Sequence, residues 1–169
     1  MLTPVVRRTY APRGQTPVQP CWDRRDRISA ISAITLAPDQ QLDVCFTLLA
    51  DNENAHGRDT VRFLEQLQAQ CPGPLTVIWD RSNIHERCAE VRDYLALHTE
   101  IVTEKFPAYA PELNPQELVW SYTKYGRMSN FTPKNTNDLR VRLHSELSKL
   151  RNRPDLLASF VRHSSSLLE

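Results

Sequence analysis

Apolar positions along this chain fall into two rhythms, and each predicts a different element. Ile28–Leu36 reads Ile-Ser-Ala-Ile-Ser-Ala-Ile-Thr-Leu, and Leu42–Leu49 is a second run of the same kind, joined to the first by a turn-like link around Pro38 and Asp39. Side chains branched at Cβ suit a pleated surface, so the two runs predict an antiparallel hairpin. From Thr60 to Gln70, Val61, Leu64 and Leu67 share one helical face, and Cys71-Pro72-Gly73-Pro74 stops that helix. Leu75–Trp79 is almost continuously apolar, the pattern of a strand buried on both faces. Helical spacing returns over residues 85–97 through Val91, Tyr94 and Leu95, followed by a short strand at Glu100–Phe106. Pro107, Pro111 and Pro115 each push their predecessor out of the α region and predict an extended loop. Asn114 then reads as an N-cap and Pro115 as the first residue of a helix reaching about Ser129, with further helices near 135–150 and 154–168. Before residue 28, four prolines and Gly14 predict an irregular arm. The expected organisation is an arm over 1–27, an α/β core over 28–130 and a helical C-terminal extension over 131–169.

Composition narrows the class. A length of 169 residues suits one domain, and no apolar run approaches the roughly 20 residues a membrane span requires, so no membrane partner is expected. The first residues lack the basic, apolar and small-residue layout of a signal peptide. Cys21, Cys45, Cys71 and Cys88 form no CxxC, which argues against a thiolate metal site and a disulfide framework; a reducing cytoplasm is the expected compartment. The net charge of +1 conceals +4 over residues 1–27, −8 over 28–120 and +5 over 121–169. Basic flanks around an acidic centre fit a nucleic-acid enzyme whose carboxylates hold cations, although three solvated surfaces would give the same count.

Two carboxylates stand out. Asp80 closes the most apolar strand, and in α/β sheets ligands gather at the carboxyl ends of strands. An exposed carboxylate there could hold Mg²⁺, which favours one or two carboxylates with water and phosphate; equally, it could cap the turn through Ser82 and Asn83. Glu117 is third in its helix after Asn114, where a glutamate can fold back in a capping box or, after so rigid an approach, face the strand end of Asp80. His85, five residues after Asp80, could cap a helix or orient a carboxylate or phosphate. Trp79, Trp120 and Tyr122 read as core.

At these residues the chain resembles a known family. Trp79-Asp80-Arg81-Ser82-Asn83-Ile84-His85 is similar to the second-aspartate motif of mariner-superfamily transposases, in which His follows at the fifth position. Phe106-Pro107-Ala108-Tyr109-Ala110-Pro111-Glu112-Leu113-Asn114-Pro115-Gln116-Glu117-Leu118-Val119-Trp120 resembles that superfamily's third-carboxylate motif. The 37-position separation of Asp80 and Glu117 and the arm from Arg7 to Pro17 resemble the bacterial insertion-sequence branch. Ala110 replaces the usual Ser, and Arg81 replaces a frequent Asn.

The resemblance implies an α/β fold with an RNase H-like mixed sheet flanked by helices. It implies three carboxylates holding two Mg²⁺ or Mn²⁺ ions, with Asp80 and Glu117 as metal ligands and His85 and Asn114 as auxiliaries. It also implies DNA partners, as transposon ends and target, and a homodimer or a full-length transposase as protein partner. The family's first aspartate lies on a strand before the segment matched by Arg7-Arg8-Thr9-Tyr10, and here no Asp or Glu precedes Asp23. Asp23 and Asp26 fall after the arm, outside the matching place. The resemblance therefore implies a catalytic core without its first strand, N-terminally truncated, with little activity alone. The rival expectations are a non-catalytic nucleic-acid-binding or dimerising remnant that modulates a full-length transposase, and an unrelated α/β domain in which Glu117 only caps a helix.

Overall fold

A computed structural model of the chain describes residues 7–8, 10–18 and 26–165, with the side chains of Asn83 and Glu86 left out. Cys21, Asp23 and the last three residues of the final expected helix lie outside this set. Strands β1 (Ile28–Leu36) and β2 (Leu42–Asp51) pair antiparallel, Ile34 opposite Val44 and Ala33 opposite Cys45, with an irregularity between Ile28 and Ala30. Helix α1 (Gly57–Gln70) follows, its first turn tied by the Asp59 carboxylate, which accepts the His56 N–H at 2.9 Å. Strand β3 (Leu75–Trp79) runs parallel to β4 (Ile101–Lys105), and α2 (Asn83–Glu86) and α3 (Ala89–Leu97) connect them. A 3-10 turn (Pro111–Leu113) leads into α4 (Pro115–Ser121), which continues as a π-helical segment (Tyr122–Arg127). Helices α5 (Thr136–Arg151) and α6 (Pro154–Ser165) complete the described chain.

The hairpin is the central layer because successive strand residues point to opposite faces. Val44 joins Val119, Leu147, Leu150 and Leu157, so one face carries α4, α5 and α6. Its neighbour Cys45 joins Phe63, Leu64 and Leu67, and this second cluster takes in Leu75, Val77 and Trp79 of β3 and Tyr94 of α3. Arg140 pins α5 to the end of β2 through the Leu49 carbonyl and the Asp51 carboxylate, each at 2.7 Å. Burial of Glu146 raises its carboxyl pKa, but the Lys149 and Arg127 hydrogen bonds and the charge of Arg142 outweigh that and hold it below the usual range. Among the described residues no helix is long and apolar enough to cross a membrane.

Three expectations need correction. The strand Leu75–Trp79 is not buried on both faces: Thr76 and Ile78 point outward, and Ile78 and Val102 are each more than half exposed. Only its inward face meets the α1 cluster, and among the described residues each sheet has two strands, leaving unpaired edges. The helix expected over 85–97 is two pieces, because Cys88 is extended (φ −77°, ψ 122°) and places Sγ where only a glycine at position 57 leaves room; a Cβ there would lie 1.9 Å from it. The proline-rich loop is not extended throughout, since Pro111–Leu113 close a 3-10 turn.

Candidate active site

Asp80 follows directly on the last residue of β3. The strand end is held in place by the Phe106 N–H, which donates to the Trp79 carbonyl at 3.0 Å, and by Arg81 Nε, which donates to the Phe106 carbonyl at 3.2 Å. The Asp80 side chain is 64% exposed, and its Oδ1 accepts the Ser82 N–H at 3.0 Å. Turn capping is therefore one thing this carboxylate does. His85 Nδ1 lies 3.0 Å from the same oxygen. That nitrogen is buried without a hydrogen bond, so the contact has the distance of an ion pair but not the direction of a hydrogen bond. The imidazole is fixed by stacking on Trp79, centroids 4.7 Å apart and planes within 8°. The sequence motif thus becomes a local unit of Trp79, Asp80 and His85.

Glu117 occupies the first turn of α4. Asn114 caps this helix, its side-chain oxygen accepting the Gln116 N–H at 3.0 Å. The reciprocal half of a capping box is not made: the Asn114 N–H already donates to the Pro111 carbonyl at 3.0 Å, satisfied by the 3-10 turn. The Glu117 carboxylate is exposed and faces an open groove. Its neighbour Gln116 anchors the turn to the central hairpin by donating to the Ser32 hydroxyl of β1, while its own Oε1 is buried without a partner. The connecting loop holds Tyr109 fully exposed in the left-handed region (φ 59°), uncommon for an aromatic residue.

The groove beside Glu117 was not foreseen. It runs between the α4–π helix and α6 and is lined by Glu112, Glu117, Trp120, Lys124, Tyr125 and His163 among others. Spacings of four, seven and eight residues put Ser121, Lys124 and Tyr125 on the helical face of Glu117, a signal available in the sequence. His163 comes from α6, which docks on α4 and sets the Phe160 ring 6.0 Å from Tyr122. No local pattern could have found that residue.

Asp80 and His85 are brought together, as are Asn114 and Glu117, but Asp80 is not among the residues lining the Glu117 groove. No three His, Cys, Asp or Glu among the described residues form a group that could hold a metal ion. Asp26 is engaged elsewhere, accepting Asn52 Nδ2 at 3.0 Å at the base of the hairpin. The basic tail is also partly spent internally. Arg127, Arg142 and Lys149 surround Glu146, Arg140 pairs with Asp51, and Arg151 lies 3.6 Å from Asp43.

Residues 1–140 match the family model described as DDE superfamily endonuclease. No curated protein matches the chain. The fold is similar to that of the Mos1 strand transfer complex, with a TM-score of 0.56 and 14% identity over 95% of this chain and 50% of that one. It is similar as well to Mos1 transposase in its paired-end complex with the left transposon end (TM-score 0.57, 14% identity, 95% and 51% covered). The Mos1 transposase catalytic domain with raltegravir and Mg gives a TM-score of 0.51 at 12% identity, covering 81% of this chain and 82% of that one. This chain therefore spans about half the length of the Mos1 chains in the two complexes. The fold is thus similar to that of a mariner transposase, and by its sequence match the chain belongs to the DDE superfamily of endonucleases.

Proposed function

We propose that this chain is a DNA-cleaving and strand-transferring domain of a transposase of the bacterial insertion-sequence branch, dependent on Mg²⁺ or Mn²⁺. The observation that carries the reading is the pair of motif carboxylates. Asp80 projects exposed from a strand end, and Glu117 is left unused by the cap of its own helix. An RNase H-like sheet is supported by the antiparallel pair β1–β2 and the parallel pair β3–β4, both packed against the α1 cluster.

The donor set fits the metal in kind. Both groups are hard oxygen donors, and Mg²⁺ is commonly held by one or two carboxylates with water and substrate phosphate. Water and substrate phosphate can supply further oxygen ligands beside the two carboxylates. Asp80 and Glu117 would hold the ions, which when bound supply Lewis-acid stabilisation for in-line displacement at phosphorus. The chain's own residues contribute position and charge. Trp79 fixes the His85 ring against Asp80, and the Ser82 N–H sets the carboxylate's rotation. Asn114 and Gln116 hold the first turn of α4 against the hairpin. The partners proposed are DNA, as transposon ends and target, and a second copy of the chain or a full-length transposase; the exposed Ile78 and Val102 and the unpaired strand edges support a protein contact.

The test is nicking of supercoiled plasmid. Nicking that requires Mn²⁺ and disappears in Asp80→Asn and in Glu117→Gln supports the reading; nicking that survives either substitution overturns it. A second reading, a non-catalytic nucleic-acid-binding or dimerising remnant that modulates a full-length transposase, is favoured by the lack of a three-ligand group among the described residues. It predicts salt-dependent DNA binding without nicking under any metal.

A further inference from the structure

The groove beside Glu117 combines features that neither the strand-end motif nor the helix cap explains. Lys124 and Tyr125 stand next to each other on its α4–π wall, with Lys124 Nζ 5.3 Å from the centroid of the Tyr125 ring. Tyr125 is a large aromatic left 43% exposed. The two residues lie on a π-helical segment, a form that recurs at functional sites. His163 faces them from α6, beyond the residues matched by the family model. Seven residues at about 1.5 Å rise place Lys124 roughly 10 Å along the helix from Glu117. The charges are therefore sorted: carboxylates of Glu112 and Glu117 at one end, and a cation beside an aromatic face further along.

A cation over a partly exposed ring is a pairing that can hold unpaired nucleotides, because the cation can take a phosphate oxygen and every base has a face to stack. The volume of this open groove, about 500 Å³, lies in the range of pockets that take one small ligand. We infer that this groove binds a single unpaired nucleotide of the DNA strand next to the reacting phosphate. The base lies on Tyr125, its phosphate on Lys124, and His163 closes the far wall. The inference rests on the DNA-cleaving reading for its substrate but not on the metal.

The closing experiment is done in EDTA with the whole 169-residue chain. A 12-nucleotide single strand carrying 2-aminopurine and a closed hairpin duplex are titrated against wild type, Tyr125→Ala, Tyr125→Phe, Lys124→Ala and His163→Ala. Tyr125→Ala is expected to weaken single-strand binding by roughly five- to a hundredfold and to abolish the quenching of 2-aminopurine that stacking causes. Tyr125→Phe keeps the ring and should keep both, which separates lost stacking from a damaged fold. Lys124→Ala should lower the salt slope of single-strand binding by about 0.7, the value for one phosphate contact. His163→Ala should weaken the single strand and spare the duplex. Single-strand affinity and quenching unchanged in Tyr125→Ala, or an equal loss for single strand and duplex, would overturn the inference. Since no metal is present, that result would leave the plasmid-nicking test of Asp80 and Glu117 standing, and failed nicking would leave this one standing.

Discussion

Replacing Glu146 by glutamine tests whether the basic tail is structural. The Glu146 side chain is 1% exposed and is met by Arg127 Nε at 2.8 Å, Lys149 Nζ at 2.8 Å and Arg142 at 3.3 Å. These contacts tie α5 to the end of the π-helical segment that carries Lys124 and Tyr125. Removing one partner from a buried charge cluster costs about 3–5 kcal/mol. Here the cations are roughly half exposed and can turn to water, and glutamine keeps an accepting oxygen. Two charge-assisted bonds become neutral ones, at about 1 kcal/mol each, so Glu146→Gln should cost about 2 kcal/mol. For a chain of this size that is a fall of about 4–8 °C in Tm, read by circular dichroism at pH 7. The sign of the pH dependence follows from the lowered carboxyl pKa. Stability from the ionised group is fully present above its unfolded value, 4.5, and is lost as pH falls through the lower folded value. Wild type and variant should therefore converge in acid, where the protonated glutamate matches glutamine. A variant that melts within 1 °C of wild type at neutral pH, or a gap that persists unchanged into acid, would show that the Glu146 charge does not stabilise the fold.

Three further outcomes follow from the packing. Gly57→Ala forces its Cβ to within 1.9 Å of Cys88 Sγ and 2.6 Å of Glu90 Oε2, so it should destabilise by about 1–3 kcal/mol; adding Cys88→Ala should recover part of that loss in urea unfolding, and no recovery would contradict the clash. Leu147→Ala empties a fully buried site shared by β2, α4, α5 and α6 and should cost about 2–5 kcal/mol, whereas a loss under 1 kcal/mol would place Leu147 outside the core. Burial pushes the Cys45 thiol pKa up to about 11, so iodoacetamide at pH 8 should leave it unlabelled in the native protein; rapid native labelling at Cys45, read by peptide mass, would contradict its burial.

Local rules made much of the fold legible. The branched residues of Ile28–Leu36 and the Asn114-Pro115 helix start are short-range signals, and the hairpin and α4 begin where those signals put them. The two-sided burial expected of Leu75–Trp79 fails because composition reports what a strand could bury, not which neighbours exist to cover it. The break at Cys88 depends on a close approach to Gly57, thirty-one positions away, which no local pattern encodes. At the site, Asp80 and His85 were readable because they are five residues apart around one strand end. Whether Glu117 would cap its helix was not readable, since it turns on the Pro111 carbonyl reaching the Asn114 amide first. The basic tail misled in part: the helical spacing of Arg142, Glu146 and Lys149 was readable, but the long-range partners Asp43 and Asp51, and Arg127 for Glu146, became visible only in three dimensions.

We propose that Asp80 and Glu117 grip the same divalent ions. Titration of the 169-residue chain with Mn²⁺, with free ion followed by electron paramagnetic resonance, tests it without requiring catalysis. Saturable binding is expected, weakened by roughly tenfold or more in Asp80→Asn and in Glu117→Gln, with the double variant little worse than either alone, as shared ligands are not additive. Binding left intact by both substitutions, or lost in one and untouched in the other, would contradict it.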